Sequence, residues 1–209
     1  MSPRRYELGK RREQIDENRR RVVDAARALL AEATTYTAFT VDAVAKRADV
    51  ARATVYYQFG SKTGILDALC DTLAEVGGMA EQAQAFTDPD PLKGLAQFIA
   101  AFGRFWAADR VVMRRLRALA ALDPEVGAVI AARDQRRRTG LELLIARIAK
   151  HPASTSAARP EDAVRVLHTL TSFETFDSLA GSGNLTDVTP VIAELAGAVL
   201  GAPVTPALD

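Results

Sequence analysis

Between residues 52 and 62 the chain runs Arg-Ala-Thr-Val-Tyr-Tyr-Gln-Phe-Gly-Ser-Lys. A guanidinium such as that of Arg52 can donate two hydrogen bonds to guanine, and the carboxamide of Gln58 can pair with adenine. Ala53 and Thr54 can touch a thymine methyl, and the Tyr56 and Tyr57 hydroxyls can reach bases or phosphates. Val55 and Phe59, four apart, fall on one buried side of a helix and leave the other side chains to face outward. Ser61 and Lys62 then open another helix, where free amides, a partial positive charge and an ammonium group converge on the place a phosphate would take. The expected readers are Arg52 and Tyr57, and the expected holders of phosphate and register are Thr54, Tyr56 and Lys62. An exposed, charged, tyrosine-bearing helix is also an ordinary solvent face, so the elements around it have to decide.

Those elements are two short helices and a tight turn. Thr40, counted with the expected DNA contacts, can also cap the first with its hydroxyl, and Val41, Val44, Ala45 and Ala48 repeat at the spacing of one buried stripe. Asp49-Val50 follows, with Asp at a position that needs positive φ, a conformation Gly adopts freely and Asp at modest cost. The second helix starts at Arg52. Upstream, Val22, Ala26, Leu29, Leu30 and Ala33 predict a helix whose apolar face covers the pair, ended by residues 34–38.

The run Phe39-Thr40, Val44-Ala45, Ala48, Val50, Thr54-Val55-Tyr56, Phe59 and Ser61-Lys62 resembles the TetR-type family of helix-turn-helix transcriptional regulators. The resemblance covers roughly the first third of the chain. It implies a three-helix DNA-binding domain, a linking fourth helix and an all-helical C-terminal domain that dimerises and often binds a small effector. Two positions depart from the family's pattern. Asp49 stands where Gly is usual, and Ser61-Lys62-Thr63-Gly64 replaces a start of the Ser-Lys-Glu-Glu kind. Gly64 should weaken the start of its helix by roughly 1 kcal/mol relative to Ala.

Composition agrees with an all-α chain. Of 209 residues 48% are hydrophobic and 25% charged, enough apolar material for one domain or two small ones, and no stretch alternates long enough to make a strand. No apolar run suits a signal peptide or a bilayer span, so the expected location is cytoplasmic, with no membrane partner. The single Cys70 lies between Leu69 and Leu73 in a helical pattern and reads as a buried structural thiol. The net charge of +1 hides an asymmetry: residues 1–62 hold thirteen Lys or Arg against eight Asp or Glu, a net +5, which leaves −4 for the rest. Residues 1–21 read as a basic arm that follows phosphates or the minor groove, or as a solubilising tail diluted by Glu7, Glu13, Asp16 and Glu17.

The expected organisation is a basic arm (1–21), a helix-turn-helix domain (22–62), a linking helix (63–83) and a helical effector-binding and dimerisation domain (84–209). Asp88-Pro89-Asp90-Pro91 marks a junction or loop over 84–91, since prolines cannot continue a helix. Leu95, Phe98, Ile99, Phe102, Phe105 and Trp106 then share one face. A long helix follows Asp123-Pro124, with Arg133, Arg136, Arg137 and Arg138 as a solvated basic face. One nearly uncharged helix is expected to run from Pro160 through Leu179, and a last one over Val188–Leu200.

Phe98, Phe102, Phe105, Trp106, Met113, Leu116, Phe173 and Phe176 are candidates to line an effector cavity, with His168, Thr169 and Ser172 as its polar groups; the same stripe also suits plain core. Surplus apolar surface on the late helices points to a homodimer seam through Val164, Leu167, Thr171, Leu179, Val188, Val191, Leu195 and Val199, and the resemblance points to the same place. With two His, one Cys, no phosphate-binding glycine loop and no metal-ligand spacing, neither catalysis nor a metal or other cofactor is expected. The resulting expectation is a sequence-specific regulator of double-stranded operator DNA, a repressor released by a small apolar or amphipathic effector. The alternative is a helical ligand-binding or protein-interaction module with weak or vestigial DNA binding.

Overall fold

The computed structural model describes the backbone of residues 3–32, 39–151 and 159–205, and side chains from residue 10 onward apart from Arg11. The break expected at 34–38, most of the loop at 151–159 and the side chains of Arg4, Arg5 and Arg11 lie outside the described residues. Among those described, regular structure is entirely helical. The helices are α1 (Pro3–Glu32), α2 (Val41–Ala48), α3 (Arg52–Phe59), α4 (Lys62–Val76), α5 (Gln82–Thr87), α6 (Pro91–Ala107), α7 (Arg110–Leu122), α8 (Pro124–Ile148), α9 (Pro160–Leu170), α10 (Phe173–Ala180) and α11 (Thr189–Leu200). None is long and apolar enough to cross a membrane.

The chain forms two compact units. One holds residues 1–72 and 114–129, the other 73–113 and 130–209, so the division falls inside α4, α7 and α8. The sequence placed residues 114–129 with the C-terminal domain; here they group with the N-terminal one. The physical reason is size, since a helix-turn-helix of this length has little apolar surface to bury on its own. Ile65, Leu66 and Leu69 of α4, with Leu119 and Val126, add buried side chains to the core formed by Val22, Ala26, Leu30, Val44 and Val55. Each such aliphatic side chain stabilises by roughly 1.5–3 kcal/mol when fully buried. The basic segment expected as an arm is, from Pro3, the first part of α1 itself. Only its last third carries the apolar stripe, and the side chains from Arg12 to Glu17 are exposed.

In the second unit α6 begins as expected: Asp90 accepts from the amides of Leu92 and Lys93 at 2.9 and 3.3 Å, with Pro91 in the first turn. The stretch 84–91 is not one loop, however. Its first part belongs to α5, whose end is held by Arg147, which donates to the carbonyls of Phe86 at 2.9 Å and of Asp88. The single helix expected from Pro160 to Leu179 is two. Thr171 is fully buried, its hydroxyl donating to the Leu167 carbonyl at 2.8 Å, and Ser172 leaves helical angles to cap α10 through the amide of Thr175 at 3.2 Å.

Candidate DNA-binding surface and effector cavity

The turn between α2 and α3 is built as its residues suggest. The Thr40 hydroxyl accepts from the Ala43 amide at 3.1 Å, and Asp49 takes φ 50°, ψ 49°. The amides of Asp49 and Val50 then reach back to the carbonyls of Lys46 and Ala45, at 3.3 and 3.1 Å, closing the end of α2. Asp49 holds this positive φ with the help of α1: one guanidinium nitrogen of Arg21 donates to its carbonyl at 3.0 Å and lies 3.1 Å from its carboxylate. Arg21 thus holds the turn, a role the reading of residues 1–21 as an arm did not contain.

On α3, Val55 is buried and anchors the helix, while Arg52, Ala53, Tyr56 and Tyr57 face out, Tyr57 with 84% of its surface exposed. Arg52 is pre-aligned. Its Nε lies 3.0 Å from Asp42 of α2, and a terminal nitrogen donates to the Tyr56 hydroxyl at 3.3 Å while the guanidinium stands 5.4 Å from the ring centre. The Tyr56 bond and then the Asp42 charge raise its pKa, so the group stays cationic. Thr54 is half-buried beside them.

Two expected DNA contacts are turned elsewhere in this structure. Gln58 is half-buried and donates to the Ile15 carbonyl of α1 at 3.3 Å, so it ties α3 to α1. Lys62 forms an ion pair with Asp123, which also caps α8 through the amides of Glu125 and Val126 at 3.0 and 3.3 Å. The Lys62 ammonium first, and then the Val126 amide, hold the Asp123 carboxyl below the usual carboxylate range. Sixty-one residues separate this pair, so no local pattern could have revealed it.

Gly64 proves necessary. A Cβ at this position would lie 1.9 Å from the Phe59 carbonyl oxygen, because α4 starts directly against the end of α3. The Ser61 hydroxyl accepts from the Gly64 amide at 3.1 Å.

In the second unit most of the expected effector residues are core. Phe98 and Phe176 are fully buried, Phe173 packs on Trp106 with ring centres 5.8 Å apart, and Met113 is buried. The Trp106 indole donates to the Thr171 carbonyl at 3.1 Å. The polar candidates serve the helices: the Thr169 hydroxyl donates to the Arg165 carbonyl, Ser172 caps α10, and His168 Nε2 donates to the Asp134 carbonyl at 3.1 Å. Burial, and then the Arg137 charge, lower the His168 pKa and keep the ring neutral. Leu116 is buried in the other unit. Of the expected lining, Phe102 and Phe105 do border a cavity of about 380 Å³, which they share with Phe86 and with Arg133, Arg136 and Arg137 of α8. Those arginines were read as a solvated face. For Arg137 the sequence held a signal: it falls four and seven residues before Leu141 and Leu144, on the buried stripe of α8, and it is buried itself.

The expected dimer residues divide in the same way. Val164, Leu167, Thr171 and Val188 are consumed by the protomer's own core, whereas Leu179, Val191 and Leu195 are exposed and Val199 is half-buried. Val166 adds another exposed apolar side chain on α9.

With this geometry in place, residues 22–69 match the family model described as bacterial regulatory proteins, tetR family. The N-terminal segment is similar to the TetR family. The match spans α2, α3, the apolar part of α1 and the first half of α4. Over most of the chain the fold is similar to solved structures. Native NalD, the secondary repressor of the MexAB-OprM multidrug efflux pump in Pseudomonas aeruginosa, aligns with TM-score 0.69 and 19% identity, covering 89% of this chain and 98% of its own. SmeT of Stenotrophomonas maltophilia, in its triclosan complex, aligns with TM-score 0.67 and 18% identity over 87% and 90%. FadR of Bacillus subtilis, in complex with stearoyl-CoA, gives 0.65 and 17% over 86% and 97%. No curated protein sequence matches the chain significantly. The TetR-type domain and the helical unit therefore follow the fold of ligand-bound and repressor structures, while their surfaces are this chain's own.

Proposed function

We propose that the protein is a sequence-specific, DNA-binding transcriptional regulator that acts as a homodimer on operator DNA in the bacterial cytoplasm, as a repressor released by a small amphipathic effector. The observation that carries this reading is the outward face of α3, where Arg52, Tyr56 and Tyr57 stand on a helix whose other side is locked by Val55. Arg52 and Tyr57 read bases; Ala53 and Thr54 pack against the groove wall. The TetR-type domain match and the likeness to a repressor and to structures holding triclosan and stearoyl-CoA support the two halves of the reading. It assigns the chain no catalytic step.

The exposed apolar residues Val166, Leu179, Val191 and Leu195 supply the seam, and two-fold symmetry would match a palindromic operator. α4 carries residues of both units, so an effector that prefers one arrangement of the helical unit has a route to the reading heads.

The test is binding to duplex carrying the promoter of the protein's own gene, against a scrambled duplex, at two salt concentrations. Tight, selective binding that weakens steeply with salt is expected. Arg52→Ala should relax preference at one base pair by roughly 1–3 kcal/mol. Equal affinity for scrambled DNA would leave only a helical ligand-binding module.

A further inference from the structure

The face of α1 that packs into its unit carries Val22, Val23, Ala26 and Leu30, all buried. Followed toward the N-terminus at 3.6 residues per turn, the same face holds Arg19, Arg12, Arg11, Arg5 and Arg4 by register, within about 120° of the circumference. Glu7, Glu13 and Glu17 fall on the other two thirds, and Asp16 stands at the edge of the stripe. The helix therefore sorts the acids that dilute this segment in sequence away from five of its arginines. Two contacts fix the rotation of the stripe: the Arg19 guanidinium stands 5.1 Å from the Phe59 ring centre, and Gln58 donates to the Ile15 carbonyl at 3.3 Å. Both partners lie at the C-terminal end of α3. Ahead of them the side chains from Arg12 to Glu17 are all exposed, so this part of the face is open to solvent.

We infer that the arginine stripe of α1 is a second DNA-contacting surface, laid along the phosphates beside the groove that α3 enters. This rests on the reading of α3 as the helix that faces DNA. From Arg4 to Arg19 the stripe is about 22 Å long at 1.5 Å per residue, which matches about six base pairs of duplex. A guanidinium holds phosphate through two parallel hydrogen bonds, so a one-signed row of such forks suits an evenly charged backbone. A helix segment that is polar all round is marginal by itself in water, and neutralising its like charges on phosphate stabilises it. Gln58 serves the same end, because its bond to Ile15 aims the stripe instead of reading adenine. Phosphates carry no base sequence, so the surface adds affinity and register without selectivity.

The test compares two pairs of changes in the full-length protein, equal in charge and different in face. Arg5→Gln with Arg12→Gln removes two charges from the stripe, and Lys10→Gln with Arg20→Gln removes two from the rest of the same segment; Gln keeps the helix propensity of Arg and Lys. Fluorescence anisotropy over a series of salt concentrations follows binding to the promoter duplex of the protein's own gene and to a scrambled duplex. The stripe pair should weaken binding to both duplexes alike, by about tenfold, and lower the slope of log affinity against log salt by about two. The other pair should leave the slope near that of the unaltered protein, and Arg5→Lys with Arg12→Lys should restore it, with helicity matched by circular dichroism. Equal losses in the two Gln pairs would reduce the stripe to net charge, and no loss in either would make it a solvent face; both overturn the assignment. The two readings fail separately: binding that prefers neither duplex but weakens only in the stripe pair keeps the surface and removes the regulator, while promoter-selective binding that is indifferent to the stripe does the reverse. No binding to either duplex overturns both.

Discussion

Arg21 of α1 donates through one guanidinium nitrogen to the carbonyl oxygen of Asp49 at 3.0 Å and lies 3.1 Å from its Oδ2, in the turn that sets α3 against α2. The Asp49 carboxylate is almost fully exposed, so the charged half of this contact is worth little and the carbonyl bond more. Arg21→Ala should lower stability by roughly 0.5–1.5 kcal/mol in urea unfolding. Asp49→Gly should be neutral or stabilising, because glycine takes positive φ without strain. In the double variant the Arg21 cost should persist nearly unchanged. A cost that vanished there would assign the interaction to the carboxylate instead.

Gly64 looks in sequence like a weak point that alanine would improve. The structure reverses the sign. The carbonyl of Phe59 occupies the place of the missing Cβ, and backbone cannot step aside as a side chain can. Gly64→Ala should therefore destabilise, by about 1–3 kcal/mol, the usual range for overpacking. A rise in melting temperature would show that α3 and α4 can separate at no cost.

Asp123 holds the ammonium group that Lys62 would offer to a phosphate under the proposed function. Asn caps helices about as well as Asp, so Asp123→Asn should keep the start of α8 and free the ammonium. DNA affinity should rise for all sequences alike, and the slope of log affinity against log salt should steepen by about one. Adding Lys62→Ala should cancel the gain. An unchanged salt slope in Asp123→Asn, read by fluorescence anisotropy, would show that Lys62 takes no phosphate.

His168 gives stability a pH dependence of determined sign. Its folded pKa is lowered by burial and by Arg137, so the unfolded chain takes up a proton first as pH falls. Stability is then lost below the ordinary histidine value near 6.5 until the folded ring also protonates. Melting temperature should drop between about pH 7.5 and 5.5, and His168→Gln should flatten that drop. Asp123 acts in a separate, more acidic window, because its lowered pKa contributes stability present above the ordinary carboxylate range and lost as pH falls through the folded value. A drop of equal size in His168→Gln would place the titration elsewhere.

Several features were legible because they are local. The Thr40 cap, the Asp49 turn, the Asp90-Pro91 start of α6 and the stripes of α1, α2 and α6 involve hydrogen bonds or repeats spanning five residues or fewer. The helix-turn-helix and the outward set Arg52, Tyr56, Tyr57 follow from them directly. The break at Thr171 and Ser172 was missed because apolar periodicity runs through it and only the burial of Thr171 shows why the helix stops.

Residue type and spacing were thus sufficient to determine that the described residues are helical, where the turn between α2 and α3 lies and which side chains α3 turns outward. They were insufficient wherever a polar group had two available partners. Gln58 could meet a base or the Ile15 carbonyl, Lys62 a phosphate or Asp123, and Arg137 the solvent or the core. Those choices depend on groups 31 to 61 residues away, brought within hydrogen-bond reach by packing of the helices. Whether an aromatic residue lines a cavity or fills the core was likewise settled by what packs against it: Phe102 and Phe105 meet open space, and Phe98 and Phe176 meet other side chains.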